Sequence, residues 1–161
     1  MSLYVILVFI LLVFLSFCSI ALIFGAYINW QLTLEYERNV EVYFNYADRA
    51  SDAKTKSSYF NQYMEALEKY DLIQGCNAIY FCEQPNASLE KNYIVAKSLQ
   101  NRLTELSLLD EKETAYQLGM TQMTENEFCW FPTGTFYQKY MLDRGGWGVA
   151  ITPKYPTDLC N

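Results

Sequence analysis

A long run of apolar residues at the start of the sequence divides the chain into two parts. No charged residue occurs from Leu3 to Ile28, and the first charged side chain is Glu35. An apolar run of more than about 18 residues predicts a transmembrane helix, because the hydrocarbon core of a bilayer is about 30 Å thick. We therefore predict a membrane anchor over residues 1–30 and an extramembrane helical domain over residues 31–161.

The ends of this apolar run indicate how the anchor would sit in the membrane. A cleaved signal peptide fits poorly, because no Lys or Arg precedes the run and its length exceeds the usual apolar core. Tyr27 and Trp30 follow the run, where an interfacial aromatic belt would place them. Neither flank has an excess of basic residues, and the first charges after the run are mainly acidic. We expect the amino terminus inside and the C-terminal domain outside, in a periplasmic, lumenal or extracellular space.

The apolar pattern continues beyond the anchor at helical spacing. No glycine or proline occurs between Gly25 and Gly75, and apolar residues recur at steps of three and four positions over residues 31–70. This period is typical of an α-helix. We predict that the anchor continues into a long stalk helix over residues 31–70, in which the polar stretch at residues 52–58 could hold a bend, and that residues 71–161 form a cap.

Three alanines on the predicted stalk helix form a candidate packing face. Ala47, Ala50 and Ala53 are spaced three residues apart, which places them on roughly one side of a helix. Small side chains allow a second helix to approach closely. We expect this face to pack against another helix, either of this chain or of a partner.

The clearest amphipathic helix lies in the cap. Ser88 is a typical N-cap residue, and apolar residues follow it at steps of three or four: Leu89, Tyr93, Ala96, Leu99, Leu103 and Leu106. We predict that this helix packs antiparallel to the stalk helix. Short apolar segments at 77–81 and 147–151 suit a small two-stranded sheet. The predicted fold is mainly α, with a single transmembrane helix, a long continuation and an antiparallel helical bundle.

The charged residues narrow the range of partners. All 12 basic and 18 acidic residues follow the anchor, and the net charge is −6. Nucleic-acid binding relies on clustered Lys and Arg, so this acidic domain argues against a nucleic-acid partner. The 14 tyrosines suit either helix seams or partner interfaces, where Tyr is enriched. We expect the lipid bilayer and other protein subunits as partners.

Four of the five cysteines lie in the part predicted to be outside. Cys76, Cys82, Cys129 and Cys160 are an even number, and in an oxidising compartment they predict two disulfides of undetermined connectivity. Free structural thiols are the main alternative. Zinc fits poorly, because the chain has no histidine and no pair of cysteines at C-x-x-C spacing. Asn86 begins an Asn-x-Ser triplet and is a candidate glycosylation site.

The sequence offers little catalytic chemistry. Histidine, the commonest general base, is absent. No nucleophile elbow, phosphate-binding loop or dinucleotide-binding fingerprint occurs. We predict that the chain is not an enzyme and needs no cofactor or metal.

Two classes of function remain. The first is a structural or assembly protein, or an accessory subunit of a larger membrane or virion complex, that acts through helix and aromatic packing with its partners. Trp130 and Trp147 are candidate contact residues for this role. The alternative is a receptor-like domain with a ligand pocket around Trp130, Phe131, Tyr137 and Trp147. Two residues before the anchor would leave such a receptor nothing on the other side of the membrane to signal with. We therefore favour the assembly role.

Overall fold

A computed structural model of the chain describes residues 3–75, 88–128, 131 and 133–146. Every regular element in these ranges is helical, which confirms the predicted mainly α class. The elements in chain order are α1 (Leu3–Tyr36), a first π-helical turn (Glu37–Glu41), α2 (Val42–Arg49), α3 (Ala53–Lys69), α4 (Leu89–Leu106), α5 (Thr114–Gln122), a second π-helical turn (Met123–Glu127) and α6 (Thr133–Asp143). The predicted strands lie outside the described residues, and the antiparallel bundle stays a prediction.

No other part of the described chain covers the apolar side chains in the first two-thirds of α1. Large apolar side chains from Ile6 to Phe24 keep 38–72% of their surface exposed. The hydroxyls of Ser16 and Ser19 each donate to the carbonyl four residues earlier at 2.8 Å, so their polar groups are satisfied within the helix. By length and composition, this helix near the amino terminus can cross a membrane.

The same helix carries on into the packed part of the chain. It runs without a break through the first π-helical turn and α2 to Arg49. Tyr36 and Val40 are 1% and 0% exposed, so the helix passes from a bare apolar surface into the core within a few turns. The predicted continuation of the anchor helix beyond residue 30 is therefore present.

The continuation is shorter than the predicted stalk helix. It ends at Arg49, because Ala50 has extended backbone angles, φ −68° and ψ 133°. After this break α3 folds back along α2, with the ring of Phe44 lying 6.4 Å from that of Phe60 and 5.4 Å from that of Tyr63. Residues 31–70 are thus helical up to Lys69 but divided by a break at residues 50–52, at the edge of the polar stretch where a bend could lie.

The start of α3 is capped from two sides. The Asp52 carboxylate accepts a hydrogen bond from the Thr55 amide at 2.7 Å. The Ala53 amide donates to the Tyr116 hydroxyl of α5 at 3.0 Å. The first amides of a helix have no partner within the helix, so these two contacts satisfy groups that the break at Ala50 would leave unpaired.

The amphipathic helix predicted in the cap is confirmed as α4. Ser88 is its N-cap and accepts from the Lys91 amide at 3.4 Å. The helix packs on α3, and Gln100 Nε2 donates to Asn61 Oδ1 at 2.8 Å across this contact. Its apolar face is buried through Leu89, Ala96, Leu99 and Leu103.

We predict that the Asp52 cap makes stability depend on pH. The backbone hydrogen bond from Thr55 holds the pKa of this carboxyl below its usual value. Its contribution is therefore present above pH ~4 and is lost as the pH falls through the lowered pKa. The Asp52→Ala variant should unfold with a free energy about 1 kcal/mol lower at pH 7.

Asp52→Asn is the matched control, because an amide oxygen keeps the capping bond without the titration. Thermal unfolding followed by near-ultraviolet circular dichroism measures both variants at pH 7 and at lower pH. A difference between wild type and Asp52→Asn that stays constant as the pH falls from 7 through the range in which Asp carboxyls titrate would contradict the prediction.

Candidate functional site

The contact between α1 and α6, here called the junction, joins the apolar helix to the rest of the chain. The Thr33 hydroxyl lies 2.9 Å from that of Tyr137 and shares a hydrogen bond with it. The ring of Tyr36 meets those of Tyr137 and Tyr140 edge-on, each with a centroid distance of 5.2 Å. Edge-to-face aromatic pairs stabilise beyond the area that they bury. The junction therefore fixes how α6 sits on α1.

An aromatic core fills the space above the junction. Phe44 stacks on Phe128 and Phe131 with centroid distances of 5.4 and 5.1 Å. These rings bring α2 together with the segment that follows the second π-helical turn. The members of this core, all 6% exposed or less, are Phe44, Phe60, Tyr63, Phe128, Phe131 and Phe136.

A buried lysine closes one end of the aromatic core. Lys56 is 0% exposed, and its ammonium donates to the carbonyls of Ala47 and Asp48 at 2.8 and 2.9 Å. The same ammonium lies 4.2 Å from the centre of the Phe128 ring. Ala47 and Asp48 lie in the last turn of α2, where free carbonyls and the helix dipole favour a cation. Lys56 thus terminates α2 and ties it to Phe128.

The environment of Lys56 indicates a structural role. Burial lowers the pKa of its ammonium, and the nearby charge of Asp48 opposes that effect. A lysine with a lowered pKa can act as a nucleophile or base. Here the side chain is fully enclosed and its hydrogen bonds go to backbone carbonyls, so no substrate reaches it.

Three tyrosine hydroxyls are buried between α1, α3 and α6. Those of Tyr36, Tyr63 and Tyr140 make no hydrogen bond of normal geometry among the described residues, although the Tyr36 and Tyr63 hydroxyls interact with each other and that of Tyr140 with Glu35. Burial raises the pKa of the Tyr63 and Tyr140 phenols well above their usual value, and the charge of Glu41 adds to this for Tyr63. These phenols stay neutral at physiological pH. They supply ring packing rather than acid–base chemistry.

An open groove lies between α4 and α5. Its volume is about 380 Å³. Gly119 lets the two helices approach, since a Cβ atom at that position would lie 2.4 Å from Leu106 Cδ2. An Arg102–Glu127 ion pair stands at the groove. Its lining residues are Arg102, Glu105, Leu106, Leu109, Gly119, Gln122, Met123 and Glu127.

Several predicted site residues cannot be placed, because they lie outside the described residues. The disulfides, the glycosylation and the two tryptophan contacts therefore stay predictions. The residues concerned are Cys76, Cys82, Asn86, Cys129, Trp130, Trp147 and Cys160. Within the described ranges the cysteine present is Cys18, a free thiol on α1.

The predicted interfacial aromatics lie on α1 as exposed side chains. Tyr27 and Trp30 are 55% and 57% exposed, with their ring centroids 6.3 Å apart. Exposed amphipathic rings just beyond an apolar helix suit the headgroup layer of a membrane.

The three alanines of the predicted packing face do not share a helix. Ala47 lies in α2, Ala53 starts α3, and Ala50 is in the break between them. Ala47 and Ala53 are 0% and 1% exposed. Both are buried within the chain, so their small size serves internal packing.

Two residues of the predicted ligand pocket are used elsewhere in the structure. Phe131 belongs to the aromatic core, and Tyr137 holds Thr33 at the junction. Trp130 and Trp147 are not described. The receptor hypothesis therefore gains no pocket from the part of the chain that the structure describes.

The interpretation of the sequence missed Lys56 and the groove. The stretch from Asp52 to Ser58 looks like a solvated bend, because six of its seven residues are polar. No local signal marks Lys56 for burial, because its partners are two backbone carbonyls of α2 and the ring of the distant Phe128. The groove forms only because α4 and α5 pack against each other. The residues around Gly119 do not by themselves predict this packing.

Neither metal ligation nor known relatives point to a function. The described ranges contain no group of three or more Cys, Asp or Glu side chains that could hold a metal ion. No protein-family model, curated protein or solved structure matches this chain. The function has to be argued from the residues themselves.

We predict that Lys56 contributes strongly to stability although it is a buried charge. In Lys56→Met the free energy of unfolding should fall by about 2 kcal/mol, because two carbonyls at the end of α2 lose charged donors. Lys54→Met removes the same charge from an exposed position and should change stability by less than about 0.5 kcal/mol. Denaturant unfolding of both variants in the same detergent measures the difference. Equal effects would refute the role assigned to Lys56.

We predict opposite effects from removing two tyrosine hydroxyls. Tyr63→Phe deletes a buried hydroxyl that makes no hydrogen bond of normal geometry and should leave stability unchanged or raise it by up to about 1 kcal/mol. Tyr137→Phe deletes the hydroxyl bonded to Thr33 and should lower stability by about 1 kcal/mol. The same unfolding measurement tests both. A loss in Tyr63→Phe as large as that in Tyr137→Phe would show that the Tyr63 hydroxyl makes a stabilising hydrogen bond.

Proposed function

We propose that this chain is a non-enzymatic, single-pass membrane protein that acts as a structural or assembly component, or as an accessory subunit of a larger membrane or virion complex. Its amino-terminal helix anchors it, and the rest forms an acidic helical head that contacts other subunits. The head is proposed to be an antiparallel helical bundle.

One observation carries the proposal. The helix with the bare apolar surface is the same helix that supplies Tyr36 and Val40 to the core. Tyr36 follows Ile28 by eight residues, about 12 Å along a helix axis. No flexible linker separates the proposed membrane span from the head. A head held at a fixed height and orientation suits a protein that positions its neighbours.

The chemistry of the head is consistent with contact rather than catalysis. Its one buried lysine in the described ranges bonds backbone carbonyls, and its buried tyrosines are neutral and packed on other rings. Aromatic-rich packing and a net charge of −6 favour protein partners over nucleic acid.

We also propose a topology. The amino terminus would lie inside and the head outside, in an oxidising space where the four cysteines after the anchor form two disulfides. Comparison of non-reducing and reducing gel mobility, with thiol counting, tests the disulfides separately from the anchor.

The assembly role predicts a complex of fixed stoichiometry in the membrane. The chain should stay with membranes through an alkaline carbonate wash. Mild detergent extraction should then yield it with other subunits at a constant ratio, measured by native mass spectrometry. Recovery of a lone monomer that binds a small molecule would instead favour the receptor hypothesis.

A doubly charged variant controls for the anchor. Ile10→Arg with Phe17→Arg places two charges in the exposed apolar part of α1, each costing about 2.5–3.5 kcal/mol of insertion. This variant should leave the membrane in the carbonate wash, whereas the wild-type chain should not. Equal release of both chains would refute the anchor.

A further inference from the structure

The groove between α4 and α5 is open, and no side chain of the described part of the chain fills it. Its floor is apolar, with Leu106, Leu109 and Met123 among the lining residues. Leu109 keeps 38% of its surface exposed. Leu118 lies one helical turn before the lining residue Gln122 on α5, which places it on the same face beside the groove, and it is 69% exposed. Large apolar side chains gathered at a concave surface mark a site for an apolar partner.

The groove also lies in the most acidic part of the chain. Residues 102–127 contain six acidic and two basic residues, a net charge of −4 out of −6 for the whole chain. The acidic residues are Glu105, Asp110, Glu111, Glu113, Glu125 and Glu127, and the basic residues are Arg102 and Lys112. A field of one sign around a concave site favours a partner of the opposite sign.

One carboxylate in the groove has unused capacity for a donor. Glu127 pairs with Arg102 through Oε1. Its other oxygen, Oε2, is buried and finds no hydrogen-bond donor among the described residues. The Glu127 side chain keeps 16% of its surface exposed, so a cationic side chain at the groove can pair with its carboxylate and reach Oε2 once the Arg102 pair shifts.

We propose that this groove binds a basic, amphipathic segment of a partner protein. Apolar side chains of the segment would cover Leu106, Leu109 and Leu118, and Lys or Arg side chains would pair with the groove carboxylates Glu105 and Glu127. A second copy of this chain is a poor occupant, because its head carries the same acidic charge. This inference rests on the proposed assembly role and names the surface and the partner chemistry through which that role would act.

The test uses the full chain in phosphatidylcholine nanodiscs and a synthetic probe. The probe is a fluorescent peptide with leucines at helical spacing and lysines elsewhere, and fluorescence anisotropy measures its binding. Empty nanodiscs of the same lipid give the background. We expect tighter binding to discs that hold the chain, and weaker binding as the salt concentration rises. A peptide with glutamate in place of lysine should bind no better than background.

Variants locate the binding. Leu118→Gln should weaken the binding of the lysine peptide by about tenfold, as expected for an apolar anchor. Glu127→Gln should weaken it as well. Ile94→Gln on α4 removes an apolar side chain of similar exposure, 65% against 69% for Leu118, and should leave binding unchanged. Circular dichroism confirms that each variant is folded.

Each outcome decides between the alternatives. Equal binding of the lysine and glutamate peptides, or equal loss in Leu118→Gln and Ile94→Gln, would overturn the groove proposal. Concentration-dependent dimerisation of the wild-type chain that Leu118→Gln abolishes would assign the groove to a second copy instead. If the peptide fails to bind while the native chain still extracts in a complex of fixed stoichiometry, the assembly role stands and the groove proposal falls.

Discussion

One continuous helix has to satisfy two different surroundings, and the rest of the structure depends on how it does so. Over Ile6–Phe24 its side chains are apolar except for Ser16 and Ser19, whose hydroxyls bond within the helix, and no other part of the described chain covers the large apolar side chains. A few turns later, Tyr36 and Val40 of the same helix are buried. The backbone groups of a helix bond to one another, so the helix can pass between the two surroundings without exposing unpaired amides. The junction with α6 and the core both form at the part of the helix where the exposed apolar surface ends.

The core above the junction is held by aromatic rings and by one charge. The rings supply contact area, and the Lys56 ammonium closes the carbonyl end of α2 while resting on Phe128. Without that cation, the break at Ala50 would leave a helix end facing the core. The Lys56 ammonium is thus needed where α2 ends. The break at that point in turn allows α3 to fold back along α2.

The features that the sequence predicts well are those fixed by neighbouring residues. The apolar helix α1 and the amphipathic helix α4 follow from runs and spacings that any local comparison detects. The break at Ala50 and the burial of Lys56 are different, because they depend on Phe128, a contact made by tertiary folding. A lysine in a polar stretch carries no local sign of burial. The groove was missed for the same reason, since it exists only where α4 meets α5.

The first π-helical turn sets the rotational phase between the lower and upper parts of the long helix. A π-helical turn holds an extra residue compared with α-helix, and each residue advances an α-helix by about 100°. The turn at Glu37–Glu41 therefore sets the angle between the side of α1 that carries Thr33 and Tyr36 and the side of α2 that carries Phe44. This extra residue therefore fixes the direction in which the apolar side chains of α1 point relative to the packed helices and the acidic groove. Any neighbour that contacts both must match that angle.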